Sequence, residues 1–200
     1  ALEREFEFRA IVQSDDNDTL DGIQLHKLSF GRSWSDRWFT EFYLIGKNTK
    51  QDSLSIEAYE LETKWQLTEQ GEYWADWGLL FEVETNQQSS AWEYGTSLLM
   101  SKEWGRWVTT ANVGIIYERG DDIANEWDST LSVQARYRLT RGFEPALEYY
   151  GGENTKALGP VFLGDIRTGD RSRLHWEIGV VFGLDDDTPD RTFRGHLEFE

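Results

Sequence analysis

The sequence predicts an all-β chain, a transmembrane antiparallel up-and-down β-barrel of about twelve strands. Three observations carry that expectation. A period of two runs through nearly the whole chain. Aromatic residues stand at both ends of the apolar faces. Charged residues fill the alternate positions. Residues 107–117 show the pattern most clearly: Trp107, Thr109, Ala111, Val113, Ile115 and Tyr117 share one face, and Thr110, Asn112, Gly114 and Glu118 share the other. Residues 127–137 repeat it, with Trp127, Leu131, Val133, Ala135 and Tyr137 against Asp128, Thr130, Ser132, Gln134, Arg136 and Arg138. In both segments the two end aromatics are ten residues apart. Ten residues at roughly 3.3 Å each, tilted by about 40°, rise about 25 Å, the height of the apolar band of a membrane barrel. Tyr and Trp suit the two edges of such a band because their bodies are apolar and their tips polar.

Read in order, strands are expected near 3–13, 23–34, 37–46, 55–67, 74–85, 91–102, 106–118, 126–138, 143–151, 157–167, 172–184 and 191–200. The first presents Phe6, Phe8, Ala10 and Val12 on its apolar face. In the second, Ile23 and Leu25 are out of phase with Leu28 and Phe30, which predicts a β-bulge near His26 or Lys27. The third to sixth carry Trp38/Thr40/Phe42/Leu44, Tyr59/Leu61/Thr63/Trp65/Leu67, Ala75/Trp77/Leu79/Phe81/Val83 and Trp92/Tyr94/Thr96/Leu98/Met100. The tenth carries Leu158/Pro160/Phe162 and the eleventh Leu174/Trp176/Ile178/Val180/Phe182. The connections form two alternating sets. An even strand count puts both termini on one side, expected to be the periplasm, with the loops at 14–22, 47–53, 86–90, 120–125, 152–156 and 185–190 on the other. No linker or composition shift divides the chain, so one domain over 1–200 is expected.

Composition narrows the class. The chain has no cysteine, which removes disulfide frameworks and thiolate metal sites. No apolar run approaches the roughly 18–20 residues that a spanning helix requires. A mean hydropathy of −0.63 agrees with strands that alternate and average out to polar. A net charge of −17 argues against nucleic acid as a partner. No signal peptide precedes the alternation, so an exported protein is expected here in its mature form.

Phe193, Gly195, Leu197 and Phe199 alternate up to the end of the chain. This resembles the closing strand of Gram-negative outer-membrane barrels, which often end on an aromatic, although here Glu200 follows. The stretches Phe182-Gly183-Leu184, Thr188-Pro189-Asp190 and Leu197-Glu198-Phe199, within about 20 residues, resemble the tail of proteobacterial outer-membrane transporters. The strand count is similar to that of the small twelve-stranded porins for acidic oligosaccharides. The resemblance implies a location in the outer membrane, with lipid and lipopolysaccharide as neighbours and small solutes as cargo.

If the apolar faces meet lipid, the alternate residues line a lumen. The expected pore-lining residues are Glu7, Arg9, Glu60, Glu62, Glu82, Arg136, Arg138, Glu148, Arg167, Arg173, Glu177 and Arg194. Further inward carboxylates are expected at Glu5, Glu41, Asp76, Glu84, Glu93, Glu118, Asp128 and Glu144, and further cations at Arg32 and Lys64. Strand direction places Arg32, Lys64, Arg136, Arg138, Arg167 and Arg173 near the end that holds the termini. Such groups imply a passive channel for small solutes, favouring cations. The alternatives are a closed barrel in which the charges pair across a narrow lumen, and an enzyme. A soluble lipocalin-like barrel would have to enclose more aromatic surface than eight to ten strands can hold.

Two loops are acidic: Asp15, Asp16, Asp18 and Asp21 in the first, Asp185, Asp186, Asp187 and Asp190 in the last. Closure of the barrel makes these loops neighbours. Oxygen-rich clusters suit Ca²⁺ or Mg²⁺, while solvated carboxylates that merely attract cations are the simpler reading. No other cofactor is expected. The histidines are His26, His175 and His196, with the last two expected inside the barrel on neighbouring strands. A lipid hydrolase needs a Ser–His pair at the lipid-facing rim. Ser29 and His26, three residues apart, fall on opposite faces unless a bulge intervenes, so no catalytic residue is assigned.

Overall fold

The computed structural model describes residues 3–120, 123–153, 155–169 and 172–200. Positions 121, 122 and 154 of the expected loops, and position 170 between the tenth and eleventh expected strands, lie outside them. Twelve strands form one closed antiparallel barrel. They are β1 (Arg4–Ser14), β2 (Gln24–Ser33), β3 (Trp38–Asn48), β4 (Ser55–Gln66), β5 (Asp76–Asn86) and β6 (Trp92–Trp104), followed by β7 (Trp107–Arg119), β8 (Glu126–Tyr137), β9 (Glu144–Gly152), β10 (Lys156–Arg167), β11 (Arg173–Gly183) and β12 (Arg191–Phe199). Each strand pairs with its sequence neighbours, and β12 closes on β1 through Phe6↔Phe199 to Ser14↔Arg191. Both ends of the chain therefore emerge at one rim, called here the termini rim. The opposite rim carries the acidic loops and is called the loop rim.

The outward face follows the sequence alternation. Phe6, Phe30, Val113, Ile115 and Ile178 are each more than half exposed, so the surface between the rims is apolar. At its termini side Trp107 packs edge-on against Tyr137 at 5.1 Å, and Trp38 stacks on Trp65 at 5.1 Å. At its loop side Tyr117 meets Trp127 at 4.7 Å. The ten-residue spacing thus becomes cross-strand aromatic pairs at the two edges of the belt, because β7 and β8 run antiparallel with Trp107↔Tyr137 and Tyr117↔Trp127 in register. The β6–β7 hairpin has only two residues between Trp104 and Trp107. Gly105 supplies the positive φ (65°) that so tight a turn requires.

Three local expectations are corrected. No bulge interrupts β2 near His26 or Lys27, since its pairing with β1 runs unbroken from Arg4↔Arg32 to Val12↔Gln24. Leu25 instead turns inward opposite Ile11, so the break in apolar phase is a change of lining inside the barrel and not a break in the ladder. The register shift lies between β3 and β4, at Ile45/Gly46. Consequently Lys27 faces in, and Arg32, expected in the lumen, faces out with its guanidinium 5.2 Å from the Trp34 ring. Ala75, expected on the outward face, lies buried in the connection before β5.

Candidate functional site: the charged lumen

Because side chains alternate along every strand, each ladder carries one row inward. Arg9 and Glu7 of β1 point into the lumen with Lys27 and Ser29 of β2 beside them. Glu41 and Tyr43 follow from β3, then Glu60, Glu62 and Lys64 from β4. On this side almost every charge has a partner. Arg9 meets Glu7 at 2.5 Å and the Tyr43 hydroxyl at 3.4 Å. Lys27 bonds Glu60 at 2.9 Å, Ser29 donates to Glu41 at 2.6 Å, and Lys64 lies 3.4 Å from Glu41. Water is largely excluded here: Tyr43, Glu41 and Glu7 are buried. Burial of charge is tolerable only when the groups are paired.

The network continues across the β1–β12 seam. His196 lies 2.9 Å from Glu7. Arg194 pairs with Glu148 and, at 3.2 Å, with Glu177. Gln134 and Tyr150 both donate to Glu148, at 2.7 and 2.8 Å. His175 sits between Asp165 and Glu177, at 2.9 and 3.2 Å, with its ring 5.8 Å from that of His196. Beside it Val161 and Leu163 of β10 are buried.

The wall built by β5 to β8 differs. Its inward rows include many short residues: Gly78, Gly95, Ser97, Thr110, Asn112, Gly114, Thr130 and Ser132. Two cavities lie against it. One, of about 450 Å³, opens toward the loop rim and is lined by Glu82, Ser97, Asn112, Asp128, Thr130 and Ser132. The other, of about 580 Å³, opens toward the termini rim and is lined by Gly78, Leu99, Ser101, Glu103, Thr110 and Asn112. Nearer the loop rim, Glu84, Glu93, Glu118 and Glu126 are successive cross-strand neighbours from β5 to β8.

Eleven of the twelve residues expected in the lumen occupy inward positions in the register, and Arg138 follows just past the end of β8, but they divide. Glu7, Arg9, Glu60, Glu148, Glu177 and Arg194 belong to the paired network. Glu62 touches Lys64 at 3.8 Å, and Glu82 alone borders the open cavity toward the loop rim. Arg136, Arg138 and Arg173 line a separate cavity of about 360 Å³ at the termini rim. There Arg138 pairs with Glu103 at 2.5 Å, Arg136 lies 3.6 Å from Glu144, and Arg173 pairs with Glu200. Arg167 stands exposed at the end of β10. Lys27 was missed from sequence because the supposed bulge hid its phase.

The two acidic loops are adjacent. The carboxylates of Asp15, Asp21, Asp185 and Asp190 accept hydrogen bonds from nearby groups. Asp15 accepts from the Asn17 amide at 2.5 Å, Asp21 from Lys50, and Asp185 from the Thr188 hydroxyl at 2.7 Å. The Lys50 ammonium holds the Asp21 carboxyl below its ordinary range, and the Thr188 hydroxyl does the same for Asp185. Among the described residues, the acidic groups whose ligand atoms converge within 4.8 Å are formed by lumen and β8-rim residues, such as Glu60, Glu62 and Glu82, and include no aspartate of the two loops. His26 faces out, bonded to Asn48 at 3.2 Å, while Ser29 faces in, so these two do not form a pair.

A closed barrel with an apolar belt outside and a charged, partly hollow interior defines the class: the fold is that of the outer-membrane porins. It is similar to the NanC porin (TM-score 0.66, 10% identity, covering 98% of this chain and 98% of that one). It is also similar to the KdgM porin in complex with disordered oligogalacturonate (TM-score 0.62, 12% identity, 98% and 96% covered) and to an outer membrane channel from Pseudomonas putida F1 (TM-score 0.62, 12% identity, 99% and 92% covered). No protein-family model and no curated protein sequence matches the chain.

Proposed function

We propose that the barrel lies in the outer membrane of a Gram-negative bacterium, in contact with lipid and lipopolysaccharide, and lets small hydrophilic solutes diffuse through, favouring cations and neutral solutes over anions. The observation that carries this reading is the pairing of an apolar exterior belt with an interior that holds cavities of about 450 and 580 Å³ between the rims. A charge facing the bilayer midplane costs roughly 2–4 kcal/mol, so a wet lumen is the inexpensive place for these rows. The likeness to known channels supports the same reading. Inward carboxylates outnumber inward cations, and the mouth adds Asp15, Asp16, Asp18, Asp21, Asp185, Asp186, Asp187 and Asp190. Low-dielectric walls strengthen the attraction of such a field for cations, Ca²⁺ and Mg²⁺ included.

A second reading has its own observation. The arginine cavity at the termini rim would suit an acidic group, and one structure of the same fold holds an oligogalacturonate. The reversal potential in a planar bilayer under a salt gradient decides between them. A cation-selective potential is expected. An anion-selective one would overturn the preference and favour acidic solutes, and absence of conductance in folded protein would overturn the channel.

A further inference from the structure

We infer that solutes travel along one wall of the barrel, over the inward faces of β5 to β8, and not down its axis. The inference rests on the channel reading above. Three independent features place the path. First, the two cavities meet at a shared lining residue, Asn112, one extending toward each rim. Second, Asn112 is exposed although it faces inward at mid-strand, whereas Tyr43 and Val161, also inward-facing but in the other half, are sealed at 0% exposure. An inward side chain midway along a barrel strand gains such exposure only from space inside the barrel. Third, at mid-height in the remaining lumen the charges are drawn into ion pairs. Arg9, Lys27 and Arg194 are held by carboxylates from β1, β4, β9 and β11, while Lys64, 3.4 Å from Glu41, also borders the cavity toward the termini rim. Opening that half would strand buried charges, which is far costlier than filling small-residue space with water.

The path has a defined chemistry. Its middle is lined by the neutral hydrogen-bonding side chains of Ser97, Asn112, Thr130 and Ser132, with Leu99 cross-strand from Asn112 where the cavities meet and Leu80 lining the first cavity. Toward the loop rim it runs beneath Glu82, Glu84, Glu93 and Glu118. Among the described residues, these four have no Lys or Arg partner, the bases of the neighbouring strands being engaged elsewhere. Inward-facing β5, β6 and β7 positions carry no Lys or Arg at all. Small cations and neutral polyols fit this lining, and oligoanions do not. Selectivity therefore resides in Glu82, Glu84, Glu93 and Glu118, while the paired Glu7, Glu60, Glu148 and Glu177 hold the barrel's shape.

The absence of native cysteine gives a direct test. Single variants Asn112→Cys, Ser132→Cys and Val161→Cys are reconstituted and treated with a small cationic methanethiosulfonate, reading thiol modification by mass and conductance in planar bilayers. Ser132 faces the same path opposite Asn112, and its near-isosteric replacement guards against misfolding of the first variant. Both path variants are expected to be modified from either side of the bilayer and to lose more than about half of their conductance. V161C is expected to stay unmodified. A conducting barrel in which the path thiols are inert, or in which V161C is blocked equally, overturns the eccentric path and leaves the channel standing. A wild-type barrel that does not conduct overturns both. For the selectivity, combined Gln replacement of Glu84, Glu93 and Glu118 is expected to move the reversal potential toward zero. An unchanged potential would remove these residues as its determinants.

Discussion

The backbone N–H of Asp190 donates to the carboxylate of Asp15 at 2.9 Å, joining residues from opposite ends of the chain. The Asp16 amide answers toward the Asp190 carboxylate at 3.4 Å. These contacts extend the β1–β12 ladder one step beyond Ser14↔Arg191, so the acidic loops sit side by side as a direct consequence of closure. Paired cysteines at these two positions, Asp15→Cys with Asp190→Cys, should oxidise to an intramolecular disulfide in folded protein. Faster migration on a non-reducing gel reads it. Failure to crosslink under oxidising conditions would contradict the seam.

The Asp21–Lys50 contact should show an acid limit and an alkaline one. Asp21 is depressed, first by the hydrogen bond from Lys50 and then by that from the Asp15 amide. Its contribution is therefore present above the ordinary aspartate value of about 3.9 and is lost as pH falls through the lower folded value. Lys50 is raised by the same bond, so its share is present below about 10.4 and is lost as pH rises through the higher folded value. A carbonyl ¹³C titration should give Asp21 a midpoint below the ordinary value, and Lys50→Ala should move that midpoint upward. Identical midpoints with and without Lys50 would count against the contact.

Adjacent residues on β7 should respond in opposite ways to the same new charge. Val113 faces out, is 57% exposed and lies midway between Trp107 and Tyr117, while Asn112 faces in. Val113→Arg should cost about 2–4 kcal/mol in refolding titrations from lipid vesicles. Asn112→Arg should cost much less, because its charge enters the polar interior. Equal costs would mean that the belt does not face lipid.

Lys27 and Glu60 form a largely buried pair, with side chains 25% and 5% exposed. Removing one partner of such a pair typically costs about 3–5 kcal/mol, because the other is left buried and unpaired. Lys27→Met should fall toward the lower end, since part of the ammonium is wet. The double variant Lys27→Met/Glu60→Gln should recover much of the loss. Thermal unfolding followed by gel mobility measures both, and a double variant no better than the single one would deny the coupling.

The sequence by itself determined the strands, their number and which face of most of them is apolar. The reason is that a period of two is local: each side chain's face follows from its neighbours, and equal spacing put Trp107 and Tyr117, and Trp127 and Tyr137, at opposite edges of the belt on two successive strands. The same locality misled at β2. Leu25 looked like an outward residue out of step, and nothing nearby in the chain says that the upper lumen opposite Ile11 is apolar. That one misreading exchanged Lys27 for Arg32. Which charges pair was decided only by the tertiary structure. Glu148 with Arg194, or Glu7 with His196, are contacts between strands distant in the chain and set by barrel closure and register. The division of the lumen into a paired half and a hollow half was likewise invisible in the sequence. It depends on which rows of large and small side chains confront one another across the interior, and that is a property of the closed sheet and not of any one strand.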